Sequence, residues 1–169
     1  MLFRSDLNLT ISGTGTISLN KTPITGTTSC ASTCTRAFDD GTVVTLTPSV
    51  ADATTWRFGA FSGACSGATC QVTMSEDRDV TATFVRLRTI TVDDISGGYV
   101  TSGAADALGD AINCGDVPAE TTENCTFHPD TTAEVVLTAH YDGTTSRFAG
   151  WTDTYCAAHK SGTLDKVCT

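Results

Sequence analysis

The eight cysteines are the residues of this chain best equipped for chemistry, and they stand along it as four close couples: Cys30 and Cys34, Cys65 and Cys70, Cys114 and Cys125, Cys156 and Cys168. Two chemistries compete for them. A zinc ribbon sets thiolates from two short knuckle loops on one tetrahedral ion, and the first four cysteines loosely follow that plan. The last four do not, because ten and eleven residues separate the members of each couple. A disulfide tolerates such expansion, since it needs only that two Cα atoms come within about 4.4–6.8 Å. Eight thiols in a small, Thr-rich chain also mark an oxidising compartment. Four cysteines still allow three pairings, and spacing alone does not choose among them.

Other reactive types are present without an arrangement. The histidines are His128, His140 and His159, and no nucleophile-elbow motif surrounds a serine. His128 precedes a proline, His140 ends a strand and His159 sits in a polar loop, so each reads as a surface side chain. Asp39-Asp40-Gly41, Asp93-Asp94 and the acidic stretch Asp106 to Glu123 are the carboxylate-rich places; none has EF-hand spacing. They read as turns and a solvated loop, with one helical turn at Ala104 to Leu108; whether the acidic stretch takes calcium stays open. Sequons at Asn8, Asn20 and Asn124 read as chance matches in a Thr-rich chain. No catalytic, metal or cofactor-binding residue is expected, and no enzyme. Trp56, Trp151, Tyr99, Tyr141 and Tyr155 are available for stacking on sugars, with Trp56 and Tyr155 expected at the surface.

The elements that hold these residues are strands. Aromatics make up 7% and charged residues 17%, while Thr alternates with Val, Ile and Leu, a pattern that favours strands over helices. A net charge of -9 with no basic run argues against nucleic acid and anionic membranes, and no apolar stretch is long enough for membrane insertion. Two segments carry the same order of signals: residues 7–85 and residues 86–169, a second copy that is divergent and C-terminally truncated. Met1 to Asp6 reads as a non-native leader and the chain as a fragment.

Each copy opens with a strand, a glycine turn and a second strand, Leu9 to Ile17 and Thr89 to Val100. A cysteine couple and an aromatic follow, Phe38 or Phe127. Next comes an alternating strand with Val44, Leu46 and Pro48, or Val135, Leu137 and Ala139, on its apolar side. Then Phe58-Gly59-Ala60-Phe61 is answered by Phe148-Ala149-Gly150-Trp151, and another cysteine couple follows each. Copy one closes on Val80-Thr81-Ala82-Thr83-Phe84; the second has no such ending. The copies differ in charge, with six acids and four bases in residues 7–85 against twelve acids and five bases in residues 86–169.

Cys30-Ala31-Ser32-Thr33-Cys34, the run from Phe58 to Cys70 and Val80 to Phe84 together resemble the InlB B-repeat family of bacterial surface and secreted proteins. The resemblance covers nearly all of copy one and is looser in copy two. It implies mainly-β, β-grasp-like units with disulfides between cysteines close in sequence, and with Phe58, Phe61, Phe148 and Trp151 in the core. It also implies an extracytoplasmic location, adjacent repeats in a parent chain, no cofactor and no catalytic residue. The function expected is a spacer, stalk or presenting element. An adhesive module for carbohydrate or host protein is the alternative, and an accessory fragment of an exported enzyme the third reading. Two or more aromatics on one open face would favour binding; a hydroxylic surface would favour the spacer.

Overall fold

The computed structural model describes residues 3–93, 97–106, 108–116, 122–130, 133–141, 144–145, 147–151, 160–161 and 167–168. The chain is mainly β, with no helix among the described residues, and it divides into two compact units, Met1–Arg86 and Leu87–Thr169. The helical turn expected near Ala104 is a bend instead. There the Asp106 carboxylate accepts the backbone N–H groups of Leu108 and Asp110, which fixes a tight loop. Among the described residues no helix is long and apolar enough to cross a membrane.

Unit 1 holds β1 (Arg4–Ser12), β2 (Thr16–Leu19), β3 (Ser29–Cys30), β4 (Cys34–Asp39), β5 (Thr42–Ser49), β6 (Trp56–Gly63), β7 (Cys70–Met74) and β8 (Arg78–Arg86). They form two four-stranded sheets, ordered β4-β1-β8-β6 and β3-β2-β5-β7. The first sheet is mixed, because β8 runs parallel to β1 while its other pairings are antiparallel. Alternation decides what each strand buries: Leu7 and Leu9, Ile17 and Leu19, Val44 and Leu46, Val72 and Met74, Val80, Ala82 and Phe84. These side chains from both sheets make one core, so the unit is a two-layer sandwich.

Apart from the β2 to β3 link, every connection in unit 1 carries the chain from one sheet to the other. The glycine turn after β1 is therefore a corner and not a hairpin. Gly13 has φ of +87°, and a Cβ there would lie 2.3 Å from the Phe84 carbonyl oxygen, so the corner admits no other side chain without displacement. Arg4, Ser5 and Asp6, within the stretch expected to be a leader, belong to β1. They stand opposite Asp39, Phe38 and Ala37, Ser5 is buried, and the Asp6 N–H donates to the Asp77 carboxylate at 2.7 Å.

Unit 2 holds β9 (Ile90–Thr91), β10 (Gly98–Ser102), β11 (Asn113–Gly115), β12 (Thr126–Phe127), β13 (Leu137–Tyr141), β14 (Lys160–Ser161) and β15 (Val167–Cys168). A five-stranded sheet has the order β11-β10-β13-β15-β14, and β9 pairs with β12 in a sheet of two. Val100, Ile112, Cys114, Phe127, Leu137 and Ala139 form its core.

The registers of the two units correspond. Ile17 lies opposite Cys30 and Pro48 as Val100 lies opposite Cys114 and Ala139. Leu46 faces Leu19 and Cys70; Leu137 faces Ser102 and Cys168. Leu9 pairs with Cys34, and the Val92 N–H donates to the Cys125 carbonyl at 3.0 Å. One alignment read from sequence shifts. Phe127 stands opposite Ile90, the place Arg36 holds opposite Leu7, whereas Phe38 lies two positions further on, opposite Ser5. Two positions are one full strand period, so both rings still point inward, and both are buried.

Candidate functional site

Three of the cysteine couples are disulfides: Cys30–Cys34, Cys65–Cys70 and Cys114–Cys125, with Cα–Cα distances of 6.2, 5.4 and 4.7 Å. Local in sequence, they are not local in the fold. Cys30 ends β3 of one sheet and Cys34 opens β4 of the other. Cys65 follows β6, and Cys70 opens β7 in the opposite sheet. Cys114 is on β11, while Cys125 immediately precedes β12 of the two-stranded sheet. Each bond thus clasps two sheets at the place where the chain passes between them. Cys168 lies in β15 opposite Leu137, and its expected partner Cys156 lies outside the described residues. Disulfides of this number belong to an oxidising, extracytoplasmic environment.

Cys114, Glu123 and Cys125 are the one group of candidate metal ligands among the described residues. The two sulfurs are bonded to each other, and the Glu123 carboxylate accepts the Gly115 N–H at 3.2 Å. The acidic loop is used in the same manner. Burial raises the pKa of Asp106, but the backbone N–H groups of His128, Asp110 and Leu108 outweigh it and hold the carboxyl below its ordinary range. Asp116 accepts the Gly97 N–H at 3.1 Å. In the Asp39-Asp40-Gly41 turn the backbone is tied down instead, Asp40 N–H to the Phe3 carbonyl and Gly41 N–H to that of Met74.

Asn8, Asn20 and Asn124 are bracing side chains. Asn8 spans the mixed sheet, donating to Asp79 and accepting from Thr35, both at 2.9 Å. Asn20 accepts the Thr45 N–H at 2.7 Å, and Asn124 accepts the Thr126 N–H while donating to the Ala111 carbonyl.

The aromatic motif is built by a bulge. In a regular strand residues three apart face opposite sides, yet the Phe58 and Phe61 rings lie 4.7 Å apart. The ladder between β6 and β8 slips at this point, with Phe58 opposite Phe84 but Ala60 opposite Thr83, so Gly59 is the extra residue and restores both rings to one side. A Cβ at Gly59 would sit 3.1 Å from the Thr83 carbonyl oxygen, a tight contact that favours a small residue in the bulge. Phe61 is 2% exposed and Phe58 is half-buried, with the Phe84 ring edge-on to it at 5.5 Å. Phe148 and Trp151 form a similar pair at 5.2 Å and are both half-buried against the core of unit 2.

Of the remaining sequence candidates, Trp56 is half-buried against the core and not exposed, and Tyr155 and His159 lie outside the described residues. His128 gives its backbone N–H to Asp106. His140 stacks on Tyr99, with ring centroids 4.5 Å apart, and its Nε2 lies 2.9 Å from the Thr101 hydroxyl. Sequence alternation places Tyr99 and His140 on the face opposite the core, but their cross-strand register was not legible before the β10 to β13 pairing was known. Compared with protein-family models, curated proteins and solved structures, the chain finds no match in any of the three.

Proposed function

We propose that the chain is a non-catalytic structural region of two tandem repeats, a spacer or presenting element in an exported bacterial surface or secreted protein. The observation that carries this reading is the chemistry of the outward strand positions in unit 1. The mixed sheet presents Asp6, Asn8 and Thr10, Thr35, Ala37 and Asp39, Asp79, Thr81 and Thr83, and the second sheet Ser18, Val43, Thr45, Thr47, Ser49, Gln71 and Thr73, with Val43 the one large apolar side chain among them. Hydroxyls and a few charges keep the sheets soluble, and no described aromatic stands among those positions to stack on a sugar.

The matching registers support the repeat reading, and β1 parallel to β8 in the middle of the mixed sheet supports a β-grasp-like descent, although a second sheet lies where a β-grasp would place a helix. The resemblance to InlB B-repeats supports export. The stacked Tyr99–His140 pair on the outer face of unit 2 favours the second reading, an adhesive module. A glycan and matrix-protein array probed with the oxidised chain separates the two. The spacer reading expects no saturable binding; saturable binding lost in Tyr99→Ala would replace it with adhesion.

A further inference from the structure

We propose that unit 1 is a tension-resisting link, in which β1 and β8 form a clamp that a pull along the chain loads in shear. Tension enters the unit at Arg4, the amino end of β1, and leaves it at Arg86, the carboxy end of β8, where the chain continues into unit 2. The two strands are hydrogen-bonded neighbours and run parallel, with six register pairs from Leu7–Arg78 to Ser12–Thr83. A pull on these ends therefore drives the strands past each other along their length, and the main-chain bonds between them must yield together. In an antiparallel pair held at its open end, the same pull would part them one bond at a time. β1 and β8 are also the two inner strands of the β4-β1-β8-β6 sheet, so neither peels from an edge.

Side chains and packing lock the register that a slide must break. On the outer face the Asn8 amide donates to the Asp79 carboxylate at 2.9 Å, and the Asp6 N–H donates to the Asp77 carboxylate at 2.7 Å, which ties β1 to β8 and to the turn before it. On the inner face Leu7 and Leu9 of β1 and Val80 and Ala82 of β8 are fully buried. A slip of one residue would turn one set outward, and the shortest slip that keeps both inside is two residues, about 6.6 Å. No disulfide joins β1 to β8. Cys30–Cys34 and Cys65–Cys70 lie between them in sequence and withhold only short loops, so the strand pair, and not a covalent bond, sets the resistance.

This role rests on the spacer reading, in which the chain is held from both sides, and the two fail separately: glycan binding is read at Tyr99 of unit 2, resistance on the strands of unit 1. The full oxidised chain is held in optical tweezers by its amino end and by an azide-bearing side chain placed at exposed Thr89, just past β8, or at exposed Asp40. Asp40 gives its N–H to the Phe3 carbonyl and follows the edge strand β4, so the second pull peels β4 from β1 bond by bond. At a force that opens the Asp40-held unit in about a second, the Thr89-held unit should last at least about tenfold longer, because forced unfolding follows the unfolding rate. It should then extend in one step of about 250 Å, the reach of Arg4–Arg86 with both disulfides closed. Asp79→Ala should shorten the Thr89-held lifetime roughly two- to fivefold, the effect of one side-chain hydrogen bond, and leave the Asp40-held lifetime unchanged. Equal lifetimes in the two geometries, release of the Thr89-held unit in several small steps, or an Asp79→Ala effect that is absent or equal in both geometries would each overturn the proposal.

Discussion

At the scale of the residue, the Phe58–Phe61 pair shows how a motif can be read correctly in type and incompletely in geometry. The F-x-x-F spacing was visible, but strand alternation sends residues three apart to opposite faces, and only the slip at Gly59 brings the rings together. The lone glycine inside a strand pattern was the available signal. Phe61→Ala should destabilise unit 1 by about 3–5 kcal/mol, as removal of a buried ring does. Phe58→Ala should cost less, since its ring is half-buried; urea titration followed through unit 1 amide signals measures both. Asp52 offers a pH test. Its carboxylate accepts from the Thr54 and Thr55 hydroxyls at 2.6 Å and from the Thr54 N–H, and these bonds lower its pKa to about 2. A carboxyl depressed on folding contributes stability above its unfolded pKa, about 3.9, and loses it as pH falls through the folded value. Asp52→Asn should therefore flatten the stability profile between about pH 4 and pH 2 and leave the acid limb below it unchanged; a mutant profile parallel to the parent across that range would remove Asp52 from the account.

The element scale explains why the disulfides recur at corners. Strand alternation and the cysteine couples were legible in the sequence, and so was the mainly-β class. Which sheet each strand joins was not, because a β-strand written in one dimension carries no record of its layer. The chain passes between layers at nearly every turn of unit 1, and a corner brings the ends of two strands in different sheets close together. A cysteine at each end then clasps the layers, which explains why a loop of five residues and a loop of twelve serve the same purpose. In the loop-entropy description Cys30–Cys34 contributes about 2 kcal/mol and Cys114–Cys125 about 3 kcal/mol. Paired Cys→Ser variants should show that order in urea titration. Equal losses, or a larger loss at Cys30–Cys34, would mean that native packing at the corner outweighs the constraint on the unfolded chain.

At the scale of the whole molecule, two units share one strand register and differ in how well their cores are covered. Leu7, Leu9 and Phe61 are 0%, 0% and 2% exposed, while Ile90, Val92 and Trp151, at the corresponding places, are half-buried. Amides of β10 in unit 2 should therefore exchange faster than those of β2 in unit 1, and equal protection would show that the second unit is closed by other means. The central claim is that the chain is one disulfide-clasped strand frame used twice, and mass mapping of non-reduced peptides tests it most directly. The account predicts four bonds, Cys30–Cys34, Cys65–Cys70, Cys114–Cys125 and Cys156–Cys168, the last matching Cys65–Cys70 through the common register of Cys70 and Cys168. A bridge between a cysteine of residues 1–86 and one of residues 87–169, or stoichiometric zinc in protein purified without chelator, would contradict it.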